Sequence, residues 1–162
     1  GKGLSWFRDT GYAQLIEEID KTEGSKPIAV IFNLGVNDLG NAGNYVSYMT
    51  SIASTLKSKN CKLFYMSVNP VNSTMITKTG RGARTEAQVR EFNSKIRSGL
   101  SLYYKYIDMY SVLMKKGYGT NARYDGVDDG DDGLHYTTKT FKRIYYYCIT
   151  YLNTGSINAS YY

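Results

Sequence analysis

Cysteine, histidine and long apolar runs are all scarce in this sequence. Cys61 and Cys148 are the two cysteines among 162 residues. They stand far apart and fit no metal-ligand or redox spacing, so they read as two buried thiols rather than a disulfide or a metal site. Cysteine this sparse leaves the redox compartment open. No apolar run approaches the roughly 20 residues that cross a bilayer. No signal-peptide pattern opens the chain, and its start at Gly1 fits a processed or engineered boundary. One histidine, His135, is present, so imidazole chemistry rests on that residue alone. A concentrated block of one charge is missing as well. The net charge is +6 and the isoelectric point about 9.2, yet Lys and Arg are scattered. Their densest group, Lys78, Arg81, Arg84 and Arg90, reads as solvated faces rather than a nucleic-acid tract.

What is present suits one soluble α/β domain covering 1–162, with 153–162 as a tail: 42% of residues are hydrophobic and 21% charged, ordinary values for such a domain. Tyrosine is unusually frequent at 17. Many tyrosines fall on helix faces where they pack, although a Tyr- and Asn-rich surface also suits stacking against sugar rings.

The strongest strand signal is Ile28-Ala-Val-Ile-Phe-Asn-Leu34, a near-continuous apolar run of the kind that is buried on both faces of a parallel sheet. It breaks at Gly35-Val36-Asn37-Asp38. Ligands gather at the carboxyl ends of strands in open α/β sheets, which makes Asn37 a candidate site residue beside its plainer reading as a turn. Lys62–Val68 reads as a second buried strand and Tyr103–Met109 as a third. Ser67 near the end of the second strand lacks the glycine-flanked elbow of a nucleophile and reads as structural.

Helical periodicity predicts helices over 9–21, capped by Asp9 or Thr10, and over 45–56 with Tyr45, Tyr48, Met49, Ile52, Ala53 and Leu56 inward. Thr85-Glu-Ala-Gln88 is a capping-box pattern opening a helix faced by Val89, Phe92, Ile96 and Leu100. Ser111–Lys116 reads as one short turn. A last helix, capped by Thr138, presents Phe141, Ile144, Tyr145, Cys148, Ile149 and Leu152. Residues 69–84 show no periodicity, and a loop of that length is either functional, here flanking a cleft, or a floppy insertion. The alternation of helices and strands predicts a parallel sheet covered by helices.

Asp125–Gly133 carries five aspartates but not the ligand order of an EF-hand loop; most read as solvated turn residues. Asp132 differs because it stands three residues before His135 with a glycine between. From there a carboxylate can fold back onto the imidazole, as the acid does in a Ser-His-Asp triad.

Gly35-Val36-Asn37-Asp38 and Asp132-Gly133-Leu134-His135, in that order and at that separation, make the chain similar to the SGNH (GDSL-type) hydrolases. The first stretch resembles that family's third block, whose asparagine helps form the oxyanion hole, and the second its fifth block, which supplies the triad acid and base. Gly1-Lys2-Gly3-Leu4-Ser5-Trp6 resembles the second block, so the resemblance makes Gly1 or Gly3 the backbone donor to the oxyanion. The family's Gly-Asp-Ser block has no counterpart, and Ser5 stands at the second-block position, ahead of a helix.

The resemblance implies a flavodoxin-like, three-layer α/β/α fold lacking its first strand or strands. It implies an ester hydrolase acting on acyl, plausibly acetyl, esters of carbohydrates or small molecules, with no metal and no cofactor. His135 and Asp132 would be catalytic, and Asn37, Gly3 and Gly1 would form the oxyanion hole. An N-terminal segment or second chain would supply the missing strand and serine; neither nucleic acid nor membrane is expected as a partner. An extracellular or cell-surface setting follows, with the cytoplasm as the alternative. Acyl transfer, glycan binding without turnover and salt-dependent nucleic-acid binding are the rival readings.

Overall fold

The structure, a computed structural model, describes residues 2–118 and 132–157. The chain forms two compact units, each assembled from two stretches: Gly1–Met66 with Phe92–Tyr106, and Ser67–Glu91 with Ile107–Tyr162. Together the elements make a mixed α/β fold with a small parallel sheet in the order β1 (Ile28–Phe32), β2 (Cys61–Met66), β3 (Lys105–Ile107). β1 lies parallel to β2, with Ile28 opposite Cys61 and Phe32 opposite Tyr65. No described helix is long and apolar enough to cross a membrane.

The first unit opens with α1 (Leu4–Trp6), a π-helical stretch (Phe7–Gly11) and α2 (Tyr12–Lys21). Helical backbone therefore starts well before the expected Asp9 or Thr10, and Ser5, expected ahead of the helix, lies in its first turn. The cap is a distant residue: the Leu4 N–H donates to Asp38 Oδ2 at 2.8 Å, satisfying one of the unpaired donors every helix start carries. Periodicity could not foresee a cap from 34 positions away. Gly11 fits the wide π turn because a Cβ there would lie 2.8–2.9 Å from the Trp6 and Phe7 rings.

α3 (Ala42–Ser58) turns Tyr45, Met49, Ile52, Ala53 and Leu56 into the core, as its periodicity predicts, while Tyr48 stays half-exposed. Rings stack edge-on through this core, Phe7 on Phe32 at 5.6 Å and Tyr45 on Phe92 at 5.2 Å. Such pairs add about 0.5–1.5 kcal/mol each beyond burial. Phe92, Ile96 and Leu100 of α5 (Glu86–Gly99) are buried. Gly99 closes that helix where a Cβ would meet Val46 at 2.6 Å.

The second unit contains α4 (Ser73–Lys78), the start of α5, α6 (Met109–Lys115) and α7 (Thr138–Thr154). The capping box forms as its sequence predicts: the Thr85 N–H donates to Gln88 Oε1 at 2.9 Å, and the Gln88 N–H to Thr85 Oγ1 at 3.2 Å. The aperiodic stretch 69–84 instead contains α4, whose N-cap Asn72 accepts the Met75 N–H at 3.0 Å. Six residues are too few to show a period. The expected single turn at 111–116 is a seven-residue helix, started by Asp108 accepting the Ser111 N–H at 3.1 Å.

In α7 the cap is Thr137, not Thr138. Its buried stripe is Thr140, Ile144, Tyr147 and Cys148, whereas Phe141, Tyr145 and Ile149 are exposed. The predicted face was thus rotated, because a tyrosine-rich helix offers apolar rings all round and periodicity cannot choose among them. Asn153 and Thr154, expected in the tail, belong to the helix, which Gly155 ends in the left-handed conformation. Cys61 and Cys148 are both buried free thiols. The third strand is shorter than expected, since Met109 already belongs to α6.

Candidate active site

His135 and Asp132 meet as the sequence predicts. His135 Nδ1 lies 2.6 Å from Asp132 Oδ2, and Asp132 Oδ1 accepts the N–H groups of Leu134 and His135, each at 2.9 Å. The carboxylate side chain is 3% exposed and the imidazole 56%. The acid is thus a buried anchor and the base is open to solvent. Arg81 Nε approaches Asp132 Oδ2 at 3.2 Å. Burial opposes ionisation of Asp132, but the His135 N–H, the imidazole and the Leu134 N–H outweigh it and hold the carboxyl below its ordinary value. An ionised acid on Nδ1 fixes the tautomer that leaves Nε2 as proton acceptor.

Gly133 makes this turn possible. Its φ is +80°, and a Cβ there would lie 2.5 Å from the Asn72 carbonyl oxygen and 2.8 Å from the Ile76 nitrogen. The Asn72 N–H in turn donates to the Gly133 carbonyl at 2.8 Å, and Thr79 Oγ1 to the Asp132 carbonyl at 3.2 Å. Residues Asn72, Met75, Ile76 and Thr79 of the 69–84 stretch therefore form the bed on which Asp132 and Gly133 rest. A further buried anchor sits under that bed: Glu86 accepts the Val71 N–H at 2.5 Å and the Tyr110 hydroxyl.

Asn37 belongs to the first unit. Gly35 adopts φ of +122°, and the Asp38 N–H closes the turn onto the Gly35 carbonyl at 2.9 Å. The Asn37 amide Nδ2 donates to the Lys2 carbonyl at 3.0 Å, so the strand-ending turn and the chain start come together. Gly3 is fixed beside them, since a Cβ on it would lie 2.1 Å from Asp38 Oδ2. That oxygen also accepts the Tyr45 hydroxyl at 2.8 Å, which makes Asp38 the strut of this corner. Sequence reading missed Asp38; the signal was its place next to Asn37, where it passed as a turn residue. Gly1 lies outside the described residues, as do the aspartates at 125, 128, 129 and 131. Among the described residues no group of acidic, Cys and His side chains could hold a metal ion.

Ser67 is fully buried, and its Oγ accepts the Tyr110 N–H at 2.7 Å. Ser5 lies in a helical turn and lines a polar groove of about 510 Å3 with Arg8, Asp38, Asn41, Asn44 and Ser47. No protein-family model matches the chain, and no curated protein does.

Proposed function

We propose that this chain carries the acid–base and oxyanion parts of an SGNH-type ester hydrolase on a flavodoxin-like three-layer fold. The 2.6 Å contact between His135 Nδ1 and a buried Asp132 supports that reading most. In the proposed cycle a serine attacks the acyl carbonyl while His135 Nε2 takes its proton. The carbonyl oxygen becomes an oxyanion stabilised by the Asn37 side-chain amide and a backbone N–H of Gly3 or Gly1. His135 then returns the proton to the leaving alcohol, and water repeats the sequence to release the acid. Asp132 stays ionised throughout and stabilises the imidazolium. The nucleophile comes from an upstream segment or a second chain; Ser5 is not assigned the role. The acyl group is proposed to be acetyl or similarly short, carried on a carbohydrate or small molecule. No cofactor takes part.

The test is an assay on a short-chain acyl ester of the chain joined to its natural upstream sequence. Turnover lost in both His135→Ala and a variant of an upstream serine is expected. Turnover that survives His135→Ala would sink the proposal. The isolated 162-residue chain is expected to be inactive; turnover abolished by Ser5→Ala would make Ser5 the nucleophile instead.

A second reading, glycan binding without turnover, draws on the groove beside Asp38. Apart from Leu4 its lining is made of hydrogen-bonding side chains, the chemistry a polyhydroxylated ligand requires. Saturable sugar binding with no hydrolysis by the upstream-extended chain would favour it.

A further inference from the structure

Three lysines that have no carboxylate partner among the described residues line one groove in the first unit. The groove measures about 490 Å3 and lies at the amino-terminal ends of β2 and β3; it takes Lys57 from α3, Lys62 from β2 and Lys105 from β3. None of its lining residues is acidic. Among the described residues none of the three lysines forms a salt bridge, whereas Lys21 of the same unit is paired with Glu17 and Glu18, and Lys59 with Asp20. Single lysines have local uses: Lys57 faces the negative end of α3, and Lys105 guards an edge strand from pairing. Those uses do not call for all three to share a concave surface devoid of counter-charge.

The apolar part of the groove is equally specific. Leu63 lies buried at its base, while Leu102 is 84% exposed at its rim. Lys57 Nζ stands 5.4 Å from the centre of the Tyr103 ring. A flat or apolar body laid there would cover surface that now faces water, next to ammonium groups that would take its charge. The groove is distinct from the corner that holds Asn37, which follows the carboxyl end of β1.

We propose that this groove binds a soluble organic phosphate, its dianionic headgroup held by Lys57, Lys62 and Lys105 and its organic body resting on Tyr103 and Leu102. Lysine serves phosphate as a point charge, and each exposed pair contributes little alone. The complex is therefore modest in affinity, about 0.1–1 mM in dissociation constant, and weakened by salt.

The test is NMR titration of the 162-residue chain with phenyl phosphate, inorganic phosphate and phenol, beside vesicles rich in phosphatidylserine. Phenyl phosphate is expected to shift the amides of Leu63, Leu102, Tyr103 and Lys105 at lower concentration than either fragment does. Lys62→Gln and Lys105→Gln should each weaken it about three- to tenfold. Lys21→Gln removes the same charge outside the groove and should leave it unchanged. All three lysines are exposed, so the variants keep the fold, which the same spectra verify. Absence of shifts at the groove overturns the site. Equal weakening by Lys21→Gln overturns it too, by reducing the effect to net charge. Vesicle binding without phenyl phosphate binding would assign the patch to a membrane surface instead.

Discussion

The turn at Asp132–His135 holds its imidazole by charge, whereas the turn at Gly35–Asp38 holds the Asn37 amide against a neutral backbone carbonyl. In the first, a carboxylate buried to 3% exposure touches the imidazole directly, and two backbone donors and Arg81 hold that carboxylate in place. In the second, the carboxylate of Asp38 ties down Leu4 and Tyr45, and Asn37 is held through the Lys2 carbonyl. On the proposed esterase reading, the difference matches what each side chain would do. A group that gains and loses a proton needs a fixed counter-charge against the side that does not react. An amide that only donates needs no change of charge, so position suffices.

Breaking the charged turn is expected to have the largest effect. If the proposed hydrolase reading holds, Asp132→Asn in the upstream-extended chain should lower kcat about 10⁴-fold, the loss that follows when a triad acid can no longer set the tautomer. Steady-state kinetics on an acyl ester measures it, and a loss no greater than that for Asp129→Asn would show that Asp132 has no special role. Breaking the amide turn comes next: Asn37→Ala should lower kcat about 10²–10³-fold with KM little changed. An unchanged kcat would reduce Asn37 to a turn residue.

Stability separates the turns further. Gly133→Ala puts a Cβ against backbone atoms of Asn72 and Ile76 at positive φ and should cost about 2–4 kcal/mol in denaturant melts. Gly3→Ala meets the tip of one side chain, Asp38, which can swing aside, and should cost about 1–2 kcal/mol through loss of the Leu4 cap. A reversed order would mean that the amide corner is the stiffer of the two. The smallest effect is on acid stability. The carboxyl of Asp132 ionises more readily in the fold than in the unfolded chain. Its contribution is thus complete above the ordinary aspartate value of about 3.9 and is lost as pH falls through the lower folded value. Asp132→Asn should flatten that acid limb of the stability–pH curve, and an unaltered limb would contradict the assignment.

What could be read from the sequence was whatever is encoded locally. β1 and β2 are runs of apolar residues, and the inward stripe of α3 repeats over four turns. Thr85 and Gln88 cap each other across three positions. Asp132 reaches His135 by the same short range, so the acid–base pair was legible along with the elements. Several of the misses depend on distant partners. α1 starts where Asp38 caps it, and α4 exists because Asn72 and Gly133 hold one another. The buried stripe of α7 was chosen by packing, not by the distribution of its apolar rings. Asp38 itself looked like a turn residue because its two side-chain partners, the Leu4 N–H and the Tyr45 hydroxyl, lie outside that turn.

The contact between Gly133 and α4 bears on the timing of motion as well as on shape. The Asn72 N–H reaches the Gly133 carbonyl, and Asn72 also caps α4, so fraying of that short helix and loosening of the Asp132–His135 turn are expected to occur together. Hydrogen–deuterium exchange at Asn72, Met75 and His135 is therefore expected to proceed at one shared rate. A ligand that grips the imidazole would slow it at all three amides, turning a helix that touches no reacting atom into a reporter of occupancy.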